Sequence, residues 1–218
     1  MHKLKYFRRK ISITCTVIAI FSQYSCTNKI NPSQNITIAS SGKIESIDPA
    51  RASTLKSYQL LNALGDTLYE LNNKGELIPI LAESKPIISK DKLKILIKLK
   101  KNILFHDGSP FDSSSMKFTI ERFQNIGTLN YIINKKIKSI EAPTKELLII
   151  NLNNPSSSIE GLLTSINLTP ISPKFYKDHF DKFLNNNFIG TGKYKLKRFS
   201  NEIQTLSPNK SYWGNKTK

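Results

Sequence analysis

Leu99-Lys100-Lys101-Asn102-Ile103-Leu104-Phe105-His106-Asp107-Gly108-Ser109-Pro110 is the stretch that decides how this chain is read. It closes the clearest strand pattern in the sequence and leads into a well-marked helix. Upstream, Lys92 to Lys100 alternates with a period of two. Leu93, Ile95, Ile97 and Leu99 point one way, while Lys92, Lys94, Lys98 and Lys100 point the other. That pattern predicts a sheet with one wet side rather than an anion-binding face. Downstream, a cluster of Asp and Ser suits a helix N-cap, and Met116, Ile120 and Phe123 then fall along one stripe of a helix over Ser113 to Phe123. Between the two, His106-Asp107 reads as a turn-stabilising pair, because a metal or general-base site needs a third partner at useful spacing.

The same reading extends outward as alternating strands and short helices. Ile36-Thr37-Ile38-Ala39 is a short β-prone run, stopped by Ser40-Ser41-Gly42. Leu60, Leu61, Leu64, Leu68 and Leu71 predict a helix from Lys56 to Leu71. Leu77 to Leu81 reads as a bend, since Pro79 has no place inside a central strand. Ile137 to Leu152 predicts a hairpin around Ala142-Pro143-Thr144-Lys145. Ser156 to Ser158 can cap a helix whose core face is Ile159, Leu162, Leu163 and Ile166. Ser172-Pro173 marks another helix start. Gly190-Thr191-Gly192 reads as a tight turn before a last strand over Tyr194–Phe199. The mixture is α+β or α/β, without the regular βαβ spacing of a doubly wound sheet.

The 218 residues (24.7 kDa) carry 33 Lys plus Arg against 16 Asp plus Glu, a formal charge of +17. Such a charge first suggests nucleic acid. The basic residues, however, are 28 Lys and only 5 Arg, in a chain that also holds 29 Ile and 20 Asn. All three abundant types can be written with A/T-only codons, so a low-GC genome explains the excess, and recognition usually favours the arginine fork. No nucleic-acid partner is expected.

The N-terminus reads as an export signal. Lys3, Lys5, Arg8, Arg9 and Lys10 precede a mostly apolar stretch from Ile11 to Phe21, too short to span a bilayer comfortably. Cys26, preceded by the small Ser25, resembles a lipobox and implies a lipid anchor; Gln23 stands where that pattern wants an apolar residue, and ordinary cleavage nearby is the alternative. Removing residues 1–25 takes away five positive charges and no negative ones, leaving +12. Residues 27–35, with Asn31-Pro32-Ser33-Gln34, read as a tether.

Catalytic signatures are lacking. The sequence has no GxxxxGK[ST] loop, no GxGxxG and no GxSxG elbow. Its two cysteines, Cys15 and Cys26, both precede residue 27, which leaves the body without a disulfide framework, a cysteine zinc site or a cysteine nucleophile. Bottom-up, the chain reads as an exported protein that is not an enzyme, with no cofactor and no metal.

Six blocks, in order, resemble the peptide/nickel class of extracytoplasmic solute-binding proteins that feed ABC importers, solute-binding family 5. Ser46-Ile47-Asp48-Pro49-Ala50 is similar to its "LDPA" turn, and Ile78-Pro79-Ile80-Leu81-Ala82-Glu83-Ser84 to "xPxLAES". The Leu99–Pro110 stretch resembles "LRkgvkFhDGtP", and Glu121-Arg122 the end of "fsxeR". Gly190-Thr191-Gly192-Lys193-Tyr194 resembles "GTGPY", with Lys193 in place of proline, and Asn209 to Gly214 resembles "NxdYWgg".

The resemblance implies a periplasmic binding protein-like type II fold of mixed α/β class, with ligand trapped between two lobes. Here it implies an incomplete version, because family chains run to more than twice this length. Residues 36–55 and 183–218 would belong to lobe I and 56–182 to the inserted α/β domain, with the second lobe missing. It further implies a peptide or similar small solute bound against the backbone of Ser41, Gly42, Lys43 and Ile44, an ABC permease as partner, a monomer, and a periplasmic or extracytoplasmic location. A one-walled cleft is expected to bind ligand weakly or not at all. The rival expectation is an envelope interaction or sensor module without a transport role.

Overall fold

The computed structural model describes Ile38 and residues 42–214. The residues read as an export signal, Cys26, the residues read as a tether, most of the Ile36–Ala39 run and Ser41 lie outside the described residues. No helix among the described residues is long and apolar enough to cross a membrane.

Helix α1 (Leu55–Leu64) opens the described body, its N-cap Thr54 accepting the Ser57 N–H. It stops seven residues earlier than the leucine spacing predicts. Gly65 leaves the helix in an extended conformation (φ −148°, ψ 160°), and Leu68 and Leu71 pass into the next loop and strand. Strands β1 (Tyr69–Leu71) and β2 (Leu77–Pro79) then pair antiparallel, Glu70 opposite Ile78. Leu77 to Pro79 is thus a strand rather than the expected bend. In a two-stranded ribbon, Pro79 needs to offer no ladder hydrogen bond on its outer side.

A four-stranded antiparallel sheet follows, in the order β3 (Ile87–Ile88), β4 (Lys94–Lys98), β6 (Leu147–Leu152), β5 (Ile137–Thr144). Strand β4 buries Ile95 and Ile97 and exposes Lys94 and Lys98, as its alternation predicts. The β5–β6 hairpin turns at Lys145-Glu146. Ala142 and Pro143 remain within β5, at a register irregularity between Glu141 and Thr144 that accommodates the proline.

Helix α2 (Ser113–Ile126) covers the buried face of this sheet with Met116, Ile120 and Phe123. Its capping box is reciprocal: Asp112 Oδ1 accepts the Ser115 N–H at 2.9 Å, and Ser115 Oγ accepts the Asp112 N–H at 2.9 Å. Short helices α3 (Tyr131–Asn134), α4 (Ile159–Leu162) and α5 (Pro173–Tyr176) follow, with a 3₁₀ turn at Ile166–Leu168. The helix expected beyond Ser158 is thereby one turn long; Leu163 closes it, and Ile166 belongs to the separate 3₁₀ turn. Pro173 does open a helix, at its first turn. Strand β7 (Tyr194–Phe199) pairs with β8 (Gln204–Pro208), a hairpin partner that the sequence reading omits.

Two apolar clusters hold these elements. The larger joins β4, β5, β6 and α2. The smaller gathers Ile44, Ile47, Ala52, Leu61, Leu64, Ile171, Tyr176 and Phe188, with Leu196, Phe199 and Leu206 of the β7–β8 hairpin packed against it. Ile189 packs against both.

Candidate functional site

The segment expected to meet a ligand enters outside any helix or strand among the described residues. Gly42 has φ +84°, a conformation that disfavours any residue with a Cβ, and a Cβ there would meet Lys56 Nζ at 2.5 Å. Residues 43–48 belong to no helix or strand among the described residues. Lys43 is exposed, 3.9 Å from Glu202. Ile44 turns its side chain into the smaller cluster and donates its N–H to Asn201 O at 3.2 Å, in the loop between β7 and β8. The sequence-predicted Gly42, Lys43 and Ile44 therefore share one short irregular edge, on which Lys43 is exposed and the side chain of Ile44 is committed to the core.

Below that edge the chain is held rigidly. Ser46 Oγ donates to Asn185 Oδ1 (2.8 Å) and accepts the Asp48 N–H (3.1 Å). Asp48 Oδ1 accepts the Ala50 N–H, and Oδ2 accepts the Leu184 N–H at 2.8 Å. Both carboxylate oxygens also receive Arg122, Nη1 at 2.9 Å and Nη2 at 2.7 Å. Asn167 Nδ2 donates to Pro49 O and Ala52 O, and the Thr128 N–H to Ala50 O. Tyr176 packs its ring beside the Arg122 guanidinium, and burial drives its hydroxyl pKa far up, with Asp48 adding to the effect. Asp48 and Arg122 each sit in a family motif, yet nothing in either motif says that they meet.

The His106-Asp107 pair does stabilise a turn, and it also ties distant segments. Asp107 accepts from Ser109 N–H and Oγ and from Ser172 Oγ at 2.6 Å. His106 is buried, with Nε2 3.1 Å from Gly192 O and Nδ1 3.4 Å from the Gly190 nitrogen. Burial holds its pKa below the usual imidazole value, against the opposing pull of the Gly192 carbonyl. Next to this turn, Asp66 accepts from Thr191 Oγ1, Tyr212 Oη and Trp213 Nε1, at 2.9, 3.1 and 2.9 Å. Sequence reasoning did not find the Asp66 cluster, whose members lie 125 to 147 residues apart.

Hollows are modest. A recess of about 80 Å³ adjoins the candidate edge at Glu45, Ser46, Thr54 and Thr128. A wider, open hollow of about 420 Å³ lies elsewhere, by the C-terminus of α1, at Asn62, Asp66, Glu70 and Thr164. Among the described residues no group of three or more His, Cys, Asp or Glu could hold a metal ion.

A family model described as bacterial extracellular solute-binding proteins, family 5 Middle, matches residues 76–218. The chain belongs to this family. Among curated family 5 relatives, the glutathione-binding protein GsiB of Escherichia coli O6:K15:H31 is 27% identical over 165 residues, 75% of this chain and 32% of GsiB. The chain thus spans about a third of the length of the curated relatives it matches. NikZ from Campylobacter jejuni, solved in complex with Ni(L-His), superposes with a TM-score of 0.69 at 26% identity, covering 84% of this chain and 36% of NikZ. The ABC transporter-associated periplasmic binding protein DppA from Helicobacter pylori, in complex with peptide STSA, gives 0.69 at 25% identity, covering 80% and 39%. The fold is that of type II periplasmic binding proteins, represented here in part.

Proposed function

We propose that this chain is part of the exported solute-binding component of an ABC importer for oligopeptides or similar small solutes, with its ligand edge at Ser41, Gly42, Lys43 and Ile44. The observation that carries the reading is the edge itself: a backbone stretch outside every helix and strand among the described residues, whose base is fixed by the buried Asp48–Arg122 pair. Such an edge suits recognition by strand addition, where backbone amides supply affinity and few side chains are needed. The ligands of three relatives, glutathione, Ni(L-His) and the peptide STSA, share an amino-acid skeleton, which supports peptides or similar small solutes as the class.

On this reading residues 36–55 and 183–218 form lobe I and residues 56–182 the inserted domain. The smaller cluster joins Ile44, Ile47 and Ala52 to Leu196, Phe199 and Leu206, and it also takes in Leu61, Leu64, Ile171 and Tyr176 of residues 56–182, so the two segments pack on one core. The ligand edge is then one wall of a cleft, and the adjoining recess of about 80 Å³ is well below the roughly 300 Å³ of an ordinary ligand pocket. The chain by itself binds peptide weakly or not at all, works with an ABC permease, and is held at the outer face of the membrane through Cys26.

Titrating the full chain with trialanine and with glutathione by calorimetry tests the one-wall claim. No saturation below millimolar concentration is expected, and a micromolar Kd would overturn it. Amide shifts confined to residues 41–44 at high peptide concentration would support the assigned edge; shifts centred on the α1 hollow would relocate it. Loss of detergent-phase partitioning in Cys26→Ser tests the anchor.

A further inference from the structure

His106 sits between two backbone groups that want opposite things from its ring. The Gly192 carbonyl, 3.1 Å from Nε2, needs a donor; the Gly190 N–H, 3.4 Å from Nδ1, needs an acceptor. Only the neutral Nε2–H imidazole satisfies both. The backbone is bound up in the same arrangement, since the His106 N–H donates to Gly190 O at 2.8 Å and Lys195 Nζ donates to His106 O at 2.7 Å. Through these bonds the Leu99–Pro110 stretch holds the Gly190–Gly192 turn, from which β7 departs.

We propose that His106 is an acid-released clip: protonation at Nδ1 turns an acceptor into a donor facing the Gly190 N–H, breaks that hydrogen bond, and frees the turn that launches β7 from the 103–110 loop. The charges that face the ring act in both directions. Lys195 on β7 opposes the imidazolium, and Asp66 beyond α1 and the adjacent Asp107 favour it. Burial decides the balance, holding the closed clip neutral where an exposed histidine would already titrate. Gly192 keeps a second donor, Asn209 Nδ2 at 3.0 Å, so the hydrogen bond at Gly190 is the first to break. At the far end of the β7–β8 hairpin that this turn launches, Asn201 O receives the Ile44 N–H.

The sign is fixed by linkage. The closed state has the lower imidazole pKa and the open state the ordinary one, about 6.5, so acid favours opening below that value. One proton taken up on opening changes the opening equilibrium by up to about tenfold per pH unit. Hydrogen exchange of the full chain between pH 7.5 and 5 reads this directly at the Gly190 and His106 amides, after correction for intrinsic chemistry. Protection is expected to fall with acid in the native chain and in His179→Gln, and to stay flat in His106→Gln, which keeps a donor for Gly192 but cannot titrate. Acid loosening that persists in His106→Gln, or flat protection in the native chain, overturns the clip. Should His106→Gln fail to fold, ring nitrogen shifts of the native chain decide: the neutral Nε2–H form supports the clip, and an Nδ1–H form overturns it.

Discussion

Arg122 reaches Asp48 across 74 residues of sequence, and each of its terminal nitrogens meets a different carboxylate oxygen, at 2.9 and 2.7 Å. The two side chains are 1% and 0% exposed. A pair buried this deeply is costly to desolvate, and it persists because the rest of its hydrogen-bonding capacity is used: Asp48 also accepts Leu184 N–H, and Arg122 Nη2 also donates to Lys182 O. Arg122 Nε is the exception, the one buried side-chain nitrogen or oxygen without a partner among the described residues. The pair joins α2 to the turn beneath the candidate ligand edge and to the Lys182–Leu184 segment.

Breaking this pair from one side leaves the other charge buried alone. Arg122→Ala is expected to cost about 3–5 kcal/mol, read from urea unfolding. Arg122→Lys recovers little, because a point charge cannot serve both oxygens. Asp48→Asn combined with Arg122→Met is expected to cost less than the sum of the single changes. Additive losses would mean that the two groups are not energetically coupled.

Asp107 sets a second expectation, on pH. Partial burial alone would raise its pKa, but hydrogen bonds from the side chains of Ser109 and Ser172 outweigh this, and the net shift is downward. A carboxyl with a depressed folded value contributes stability above its unfolded pKa, about 3.9, and loses it as pH falls through the folded value. Urea midpoints of Asp107→Asn should therefore lie below those of the native chain at neutral pH, with the two converging below about pH 4. A constant gap down to pH 2.5 would remove the carboxylate from the explanation.

The helix α2 cap offers a local test. Asp112→Ala removes the acceptor for the Ser115 N–H and is expected to cost about 1 kcal/mol, within the range for N-cap deletions. Asp112→Ser or Asp112→Asn should restore most of it, since both can accept the same bond. An alanine variant with an unchanged thermal midpoint would show that the capping box contributes nothing measurable.

What the sequence revealed of this fold was its local physics. The alternation over β4, the Asp112 cap, Pro173 and the β7 run each encode structure within a few residues, and the family motifs carried the architecture. The α1 overshoot has a physical reason: Leu68 and Leu71 continue the helical phase, but Gly65 turns extended where a Cβ would lie 2.3 Å from Thr169 Cγ2, a proximity that only tertiary structure supplies. The Asp48–Arg122 pair and the Asp66 cluster join residues 74 to 147 positions apart, and no periodicity records such pairings. Strand β8 was missed because Gln204-Thr205-Leu206-Ser207-Pro208 holds a single large apolar residue. Of the four residues on the candidate edge, Gly42, Lys43 and Ile44 lie in the described structure, where the positive φ of Gly42 and the Ile44 N–H to Asn201 O bond give them a geometry.

The Gly190-Thr191-Gly192 turn carries the last prediction, because its glycines are needed for a reason the sequence reading did not give. Neither is among the described glycines with positive φ, which are Gly42, Gly75 and Gly108. At Gly192 the constraint is proximity: an added Cβ would lie 2.4 Å from the Leu64 carbonyl carbon and 2.5 Å from the Gly65 nitrogen. Both are backbone atoms at the end of α1, so no flexible side chain can yield, and the Gly192 N–H to Leu64 O bond of 3.0 Å must lengthen. Gly192→Ala is expected to cost about 1–3 kcal/mol or more, as overpacking does. Gly161→Ala is the internal contrast: its Cβ would meet nothing within 4 Å, in helix α4, and it should be neutral or stabilise by up to about 1 kcal/mol. Urea unfolding of the two variants side by side decides the matter, and equal tolerance at both positions would sink the close-approach account.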